Sequence, residues 1–211
     1  MEDTTPETST EAPIHSPSGT ATRWRAFRRS PWFRRSLGAA ILLFALAAPY
    51  QYWVQVEKRF MTVSEGRLYR SGSMSPEKMV ETVREHGIRT VIDLRTPRRD
   101  VALEGEALAS VGVRHLSIPS GITPEPEIVD EVMEELRKSE NWPVLIHCKH
   151  GVGRSSLFEA FYRIEFEGWN HEEARKAAVW RSGLGSFGRE DERGQMVLDY
   201  APRYTSADAN P

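Results

Sequence analysis

Residues 143–156 read PVLIHCKHGVGRSS. Val144-Leu145-Ile146-His147 is a short, very apolar run of the kind a strand shows when both its faces are covered. It passes into a loop carrying Gly151 and Gly153, and Leu157 to Phe166 then reads as a helix. A buried strand feeding a glycine-bearing loop and a helix is the repeating unit of a parallel sheet with helices on both faces, where ligands sit beyond the carboxyl ends of the strands.

The rest of the chain fits around that unit. Arg67 to Gly72 reads as a strand closed by a turn. Ser75-Pro76 gives an N-cap followed by proline at the first helical position, so a helix is predicted from Pro76 to about His86, ended by Gly87. Arg89 to Leu94 is a compact apolar strand, and residues 95–100, with Pro97, form a loop. Val101 to Val111 is a helix candidate, Val113 to Ile118 a strand, and Pro119 to Pro126 a loop. Ile128, Val129, Val132, Met133 and Leu136 recur at helical spacing. A helix from His171 to Trp180, a turn with Gly183, Gly185 and Gly188, and a last helix near 189–200 complete the chain. The expected class is α/β: a mostly parallel central sheet flanked by helices over residues 67–202, with a polar tail at 203–211.

The N-terminal quarter is different in kind. Residues 1–22 carry four acids and no Lys or Arg, residues 23–36 carry six Arg and no acid, and residues 37–54 carry no charge. The segment 1–35 therefore reads as a disordered acidic tail followed by an Arg-rich flank. Residues 36–54 read as one transmembrane helix with Trp32, Phe33, Tyr50, Tyr52 and Trp53 at its edges. Residues 55–66 read as a connector. The Arg-rich flank predicts a single-pass membrane protein, N-terminus cytoplasmic and the domain at 67–202 on the outer, extracytoplasmic side. A cleaved signal peptide, suggested by Ala45-Leu46-Ala47, and a buried core helix are the alternatives. The remainder, 55–211, holds 22 basic and 26 acidic residues, and the whole chain has a formal net charge of −2, so bulk attraction to nucleic acid is not expected. One cysteine excludes an internal disulfide and a multi-cysteine zinc cluster.

The loop at 148–154 has a definite chemistry. Gly151 and Gly153 let successive N–H groups curl inward as an anion nest, and the following helix adds the positive end of its dipole. Arg154 lies six residues after Cys148, far enough to return across the loop and hold two oxygens of a tetrahedral oxyanion. The same donors would stabilise a Cys148 thiolate, a nucleophile facing a bound phosphorus.

The string HCKHGVGRSS resembles the H-C-x5-R-[ST] signature of cysteine-dependent protein tyrosine and dual-specificity phosphatases. GRLYRSGSMSPE at 66–77, GIRTVIDLR at 87–95 and EFEGWNHEEA at 165–174 resemble a bacterial dual-specificity-like branch, so the likeness spans roughly 60–190. It implies Cys148 as the nucleophile that becomes phosphocysteine and Arg154 as the phosphate and transition-state binder. It implies Ser155 as the hydroxyl assisting breakdown of the intermediate, His147 as the residue tuning the cysteine, and the backbone of Lys149, His150, Gly151, Val152, Gly153 and Arg154 as the phosphate cradle. Members usually supply an aspartic acid as proton donor from a loop before the penultimate strand–helix pair, yet no Asp occurs between Val101 and Val129. Glu125, with Glu127 after it, and Asp100 are the candidates, each against the reading of a solvated loop charge.

Lys149 and His150 add charge to the loop, and a C-K-x-G-x-x-R loop resembles that of some phosphoinositide and inositol-polyphosphate phosphatases; Lys149 pointing to solvent is the alternative. Substrates are expected among phosphorylated proteins and phosphorylated small molecules. A non-catalytic phosphate-binding module and a sulfurtransferase are the competing functions. No cofactor is called for. His15, His86, His115 and His171 show no metal-ligand spacing, Asp93 and Arg95 are expected to bond backbone near the site, and Trp169 and Trp180 read as packing residues.

Overall fold

The structure is a computed structural model describing residues 60–182 and 186–204, with 35, 36, 38, 39, 41–45 and 47 of the N-terminal segment. The acidic tail and most of the apolar stretch and connector lie outside the described residues. The described positions between 35 and 47 are helical, with Ile41, Leu42, Leu43 and Phe44 exposed. Among the described residues, no helix is long and apolar enough to cross a membrane.

From residue 60 onward the order is β1 (Met61–Ser64), β2 (Leu68–Gly72), α1 (Pro76–Glu85), β3 (Thr90–Asp93), α2 (Arg99–Ala109), β4 (Arg114–Ser117), α3 (Pro126–Arg137), a 3-10 turn (Ser139–Asn141), β5 (Val144–Cys148), α4 (Arg154–Glu167), α5 (His171–Ser182) and α6 (Glu192–Leu198). The five strands form one mixed sheet in the order β1-β2-β5-β3-β4. β5 runs parallel to β2 and β3, β3 is parallel to β4, and only β1 is antiparallel, pairing with β2 across a register irregularity at Thr62/Ser64.

β1 corrects the sequence reading, which left residues 61–64 in a connector. MTVS is short, and only Val63 is buried, so it lacks the apolar run that identifies an interior strand. α2 also starts two residues before Val101, because Arg99 and Asp100 extend its first turn.

Alternation along the strands sorts the core into two halves. Leu68, Ile92, Val144 and Ile146 face Val132, Met133, Phe158, Phe161 and Val197 from the helices α3, α4 and α6. Tyr69, Val91 and Leu145 face Met79, Val83 and Leu108 from α1 and α2. Trp169 packs against the first half and lies under the Arg163 guanidinium, 4.3 Å from the ring centre, whereas Trp180 is 73% exposed and does not join the core. The described part of the C-terminal tail is docked: the N–H groups of Arg203 and Tyr204 donate to Glu165, and Tyr204 Oη donates to Glu134 at 2.7 Å.

Candidate active site

The central strand β5 delivers two neighbouring functional groups to opposite faces of the sheet. Cys148 follows Val144 and Ile146 towards α4, while His147 follows Leu145 towards α2. The register places Gly72 beside Cys148 and Asp93 beside His147, so the ends of three parallel strands converge on one point.

The loop after Cys148 is fastened from outside. The Lys149 carbonyl accepts from the Ser73 N–H at 3.3 Å and the Ser73 hydroxyl at 3.0 Å. The Gly151 carbonyl accepts from Arg70 Nη1. Gly151 has φ +72°, and a Cβ there would stand 2.5 Å from the Gly72 nitrogen, so only glycine fits where the loop presses on the end of β2. With carbonyls turned outward, N–H groups turn in: the Gly151 N–H donates to Cys148 Sγ at 3.3 Å, and Ser155 Oγ lies 3.5 Å from the same sulfur. Burial pushes the Cys148 thiol up, but the Ser155 hydroxyl and the N–H groups of Ser155, Gly151 and His150 outweigh it and hold the thiol below its ordinary value.

Arg154 is the first residue of α4. Its Nη1 donates to the carbonyls of Leu94 at 2.5 Å and Ser120 at 3.1 Å, which hold the half-buried guanidinium at the cleft. The helix has Gly153 as N-cap, no side-chain cap and no acid in its first turn. A cleft of about 420 Å³ opens here, lined by Ser73, Arg95, Thr96, Arg98, Asp100, Lys149 and Arg154. Among the described residues it holds four cationic side chains, one carboxylate and no aromatic ring.

Behind the cleft lies a buried polar layer. Arg95 donates through Nε and Nη2 to Asp93, at 2.9 and 2.7 Å, through Nη2 to Glu104 at 2.9 Å, and through Nη1 to Asp100 at 3.0 Å. His147 Nε2 stands 2.9 Å from Glu104 Oε1, and both side chains are buried. Burial pushes the Asp93 carboxyl up, but His115, Arg95 and the charge of His147 more than offset it and hold it well below the usual carboxylate range. Asp93, Glu104 and His115 bring ligand-type atoms within 4.8 Å of one another. The Arg95 guanidinium bridges the two carboxylates.

Of the sequence-predicted residues, the structure brings together Cys148, Lys149, His150, Gly151, Val152, Gly153, Arg154 and Ser155 in one loop and helix start, with His147 directly behind. Lys149, His150 and Val152 are exposed on that loop. Asp100 lines the cleft, and its carboxylate is 63% exposed. Glu125 and Glu127 sit exposed at the start of α3, outside the cleft lining. Sequence reasoning missed Arg70, Ser73, Arg98 and Glu104. Arg70 lay inside the GRLYRSGSMSPE stretch, but its partners in the loop and in α4 are 81 and more residues away.

Comparison with known proteins agrees with this geometry. A family described as "DSP-PTPase phosphatase fused to NAD+ Kinase" matches residues 43–191. The dual specificity protein phosphatase TpbA of Pseudomonas aeruginosa is 31% identical over 181 residues, 78% of each chain. The crystal structure of P. aeruginosa TpbA superposes with a TM-score of 0.51 at 30% identity, covering 68% of this chain and 85% of that one. The core catalytic domain of the S. cerevisiae PP-IP phosphatase SIW14 superposes with a TM-score of 0.57 at 17% identity over 68% and 85% of the two chains, a likeness of fold.

Proposed function

The chain belongs to the DSP-PTPase family of dual-specificity phosphatases and is a phosphoric monoester hydrolase, and on that premise we propose that it works through a phosphocysteine intermediate on Cys148. The inward N–H groups of the 149–154 loop and the Arg154 fork hold the non-bridging oxygens of the substrate. The Cys148 thiolate attacks phosphorus, so an S–P bond forms while the P–O bond to the leaving group breaks. The leaving oxygen takes its proton from Asp100, which is the candidate acid that lines the cleft. Water then attacks the phosphocysteine, giving its proton to the Asp100 carboxylate, and phosphate departs as the thiolate returns. Ser155, 3.5 Å from the sulfur, steadies the thiolate as it leaves.

The observation that carries this reading is the Cys148 sulfur held under the Gly151 N–H at 3.3 Å and 3.5 Å from Ser155 Oγ. The test is acid-quench trapping of labelled phosphate on Cys148 during turnover of an aryl phosphate by the full chain. Label on Cys148, with activity abolished in Cys148→Ser and Arg154→Ala, is the expected result; full activity in Cys148→Ser overturns it.

The cleft lining favours a second reading of the substrate. Arg95, Arg98 and Lys149 stand beside Arg154 with no aromatic ring among the lining residues, which suits a substrate carrying more than one phosphate, such as an inositol phosphate or phosphoinositide headgroup, as much as a phosphotyrosine side chain. A panel of phosphotyrosine and phosphoserine peptides, inositol polyphosphates and phosphoinositide vesicles decides by relative kcat/KM.

For the N-terminal segment the proposal is a single-pass anchor over 36–54, with the phosphatase domain outside the cytoplasm. It is supported by the six-Arg flank and the uncharged run and by the exposed Ile41, Leu42, Leu43 and Phe44. Protease treatment of spheroplasts should digest the domain and leave the N-terminus protected. A mature chain beginning beyond Ala47 would instead identify a cleaved signal.

A further inference from the structure

We propose that Arg70 of β2 is the positioning residue that sets the phosphate loop in its anion-binding shape, an inference that rests on the phosphatase reading above. Arg70 is 1% exposed and contributes nothing to the cleft lining. Its Nε lies 2.9 Å from Glu159 Oε2, so its charge is matched inside the fold and is not offered to the substrate. Its Nη1 donates to Ser156 Oγ at 2.7 Å and to the Gly151 carbonyl. One rigid fork therefore ties three things together: strand β2, the first turns of α4, and the middle of the loop.

The consequence follows from the planarity of the peptide unit. The carbonyl of a trans peptide and the N–H of the next residue point in opposite directions. With the Gly151 carbonyl pinned on the buried side by Arg70, the Val152 N–H is turned to the concave side, where substrate oxygens bind. Ser73 does the same two units earlier: it holds the Lys149 carbonyl outward, and the His150 N–H is among the groups that lower the Cys148 thiol. Ser73 and Arg70 thus build the nest from behind, carbonyl by carbonyl. Arg70 bears the larger share because its site is dry and its bonds are charge-assisted.

Arg70→Lys is the informative substitution. It keeps a cation next to Glu159, but an ammonium on a flexible stem cannot hold Glu159, Ser156 and the Gly151 carbonyl in one plane. The expected result is a melting temperature within a few degrees of wild type, vanadate inhibition weaker by about tenfold or more, and a fall in kcat/KM. The pH midpoint for iodoacetamide labelling of Cys148 should also move upward, a readout that a purely structural role would not shift in a folded protein. Should Arg70→Lys fail to fold, Arg70→Met takes its place, since Glu159 keeps its ion pair with Arg163 at 3.1 Å. A folded variant with wild-type vanadate inhibition and a wild-type labelling midpoint overturns the proposal. The two levels of inference fail separately: a wild-type chain that neither binds vanadate nor turns over a phosphate ester overturns the phosphatase reading itself.

Discussion

At the start of helix α1, Ser75 accepts from the Lys78 N–H at 3.3 Å and Pro76 removes a donor. The Glu77 carboxyl is held below its usual value by its own backbone N–H and by Ser75. At the start of helix α4, Gly153 is the N-cap, no side chain caps it, and the first turn holds no acid. Both ends present the orphan donors and the partial positive charge common to all helices. In α1 the sequence consumes them; in α4 it leaves them for a ligand and places Cys148 beneath them. Helices α2 and α3 also start without a side-chain cap, but each carries an acid in its first turn, Asp100 and Glu127; α4 has neither cap nor acid, and its start is the one beside Cys148, where the open donors suit a bound phosphate.

Closing the open end should produce the largest effect. Gly153 is free of positive φ, and a Cβ there meets only the tip of Arg193, at 3.3 Å, so Gly153→Asp is sterically tolerable. Its carboxylate would cap α4 and occupy the anion site. Vanadate inhibition should weaken on the order of 100-fold while the melting temperature holds or rises. Undiminished inhibition would break the contrast between the two helices.

The same contrast predicts a pH signature. Because the folded state holds the Cys148 thiol low, the stability its thiolate contributes is full above the ordinary thiol value and is lost as pH falls from there through the native pKa. Iodoacetamide labelling of the native chain should continue below pH about 8.5, the ordinary thiol value, and Gly153→Asp should shift the midpoint back upward. A native midpoint at the ordinary value would contradict the donor arrangement.

A smaller effect is expected at the mouth of the cleft. Asp100→Asn should lower kcat by roughly tenfold to 100-fold for alkyl phosphates and less for aryl phosphates with good leaving groups. Equal losses for both would remove Asp100 as proton donor. The smallest effect belongs to the closed end: Ser75→Ala should cost about 1 kcal/mol of stability in denaturant unfolding and leave kcat/KM essentially unchanged.

The two helix starts also show what the sequence discloses. Ser75-Pro76 and H-C-x5-R are local signals, written within ten residues, and each is legible without the fold. The sequence places α1 over Pro76 to about His86, and the helix spans Pro76–Glu85. Arg70 and Glu159 are not legible in that way, because a charged residue in a strand or helix reads as solvent-facing until the pairing of β2 with β5 turns it inward. Glu104 and His115 were hidden likewise: each lies in an ordinary polar context, and only the packing of α2 and β4 beside β3 gathers them around Arg95. β1 escaped notice because an edge strand with one buried side chain has almost no hydrophobic pattern. Trp180 misled in the opposite direction, since aromatic content alone does not say which way a helix faces.

The opposed directions of His147 and Cys148 make β5 intolerant of a change in length. Side chains repeat every two residues along a strand, so deleting or inserting one residue within Val144–Cys148 would exchange the faces of everything downstream. The thiol would turn towards the Asp93–Glu104 layer and the imidazole towards α4, with every residue type preserved. The exposed turn at Gly121 to Thr123 carries no such parity. Homologous chains should therefore vary in length freely there and never within the strand, a pattern that an alignment alone could reveal without a single activity measurement.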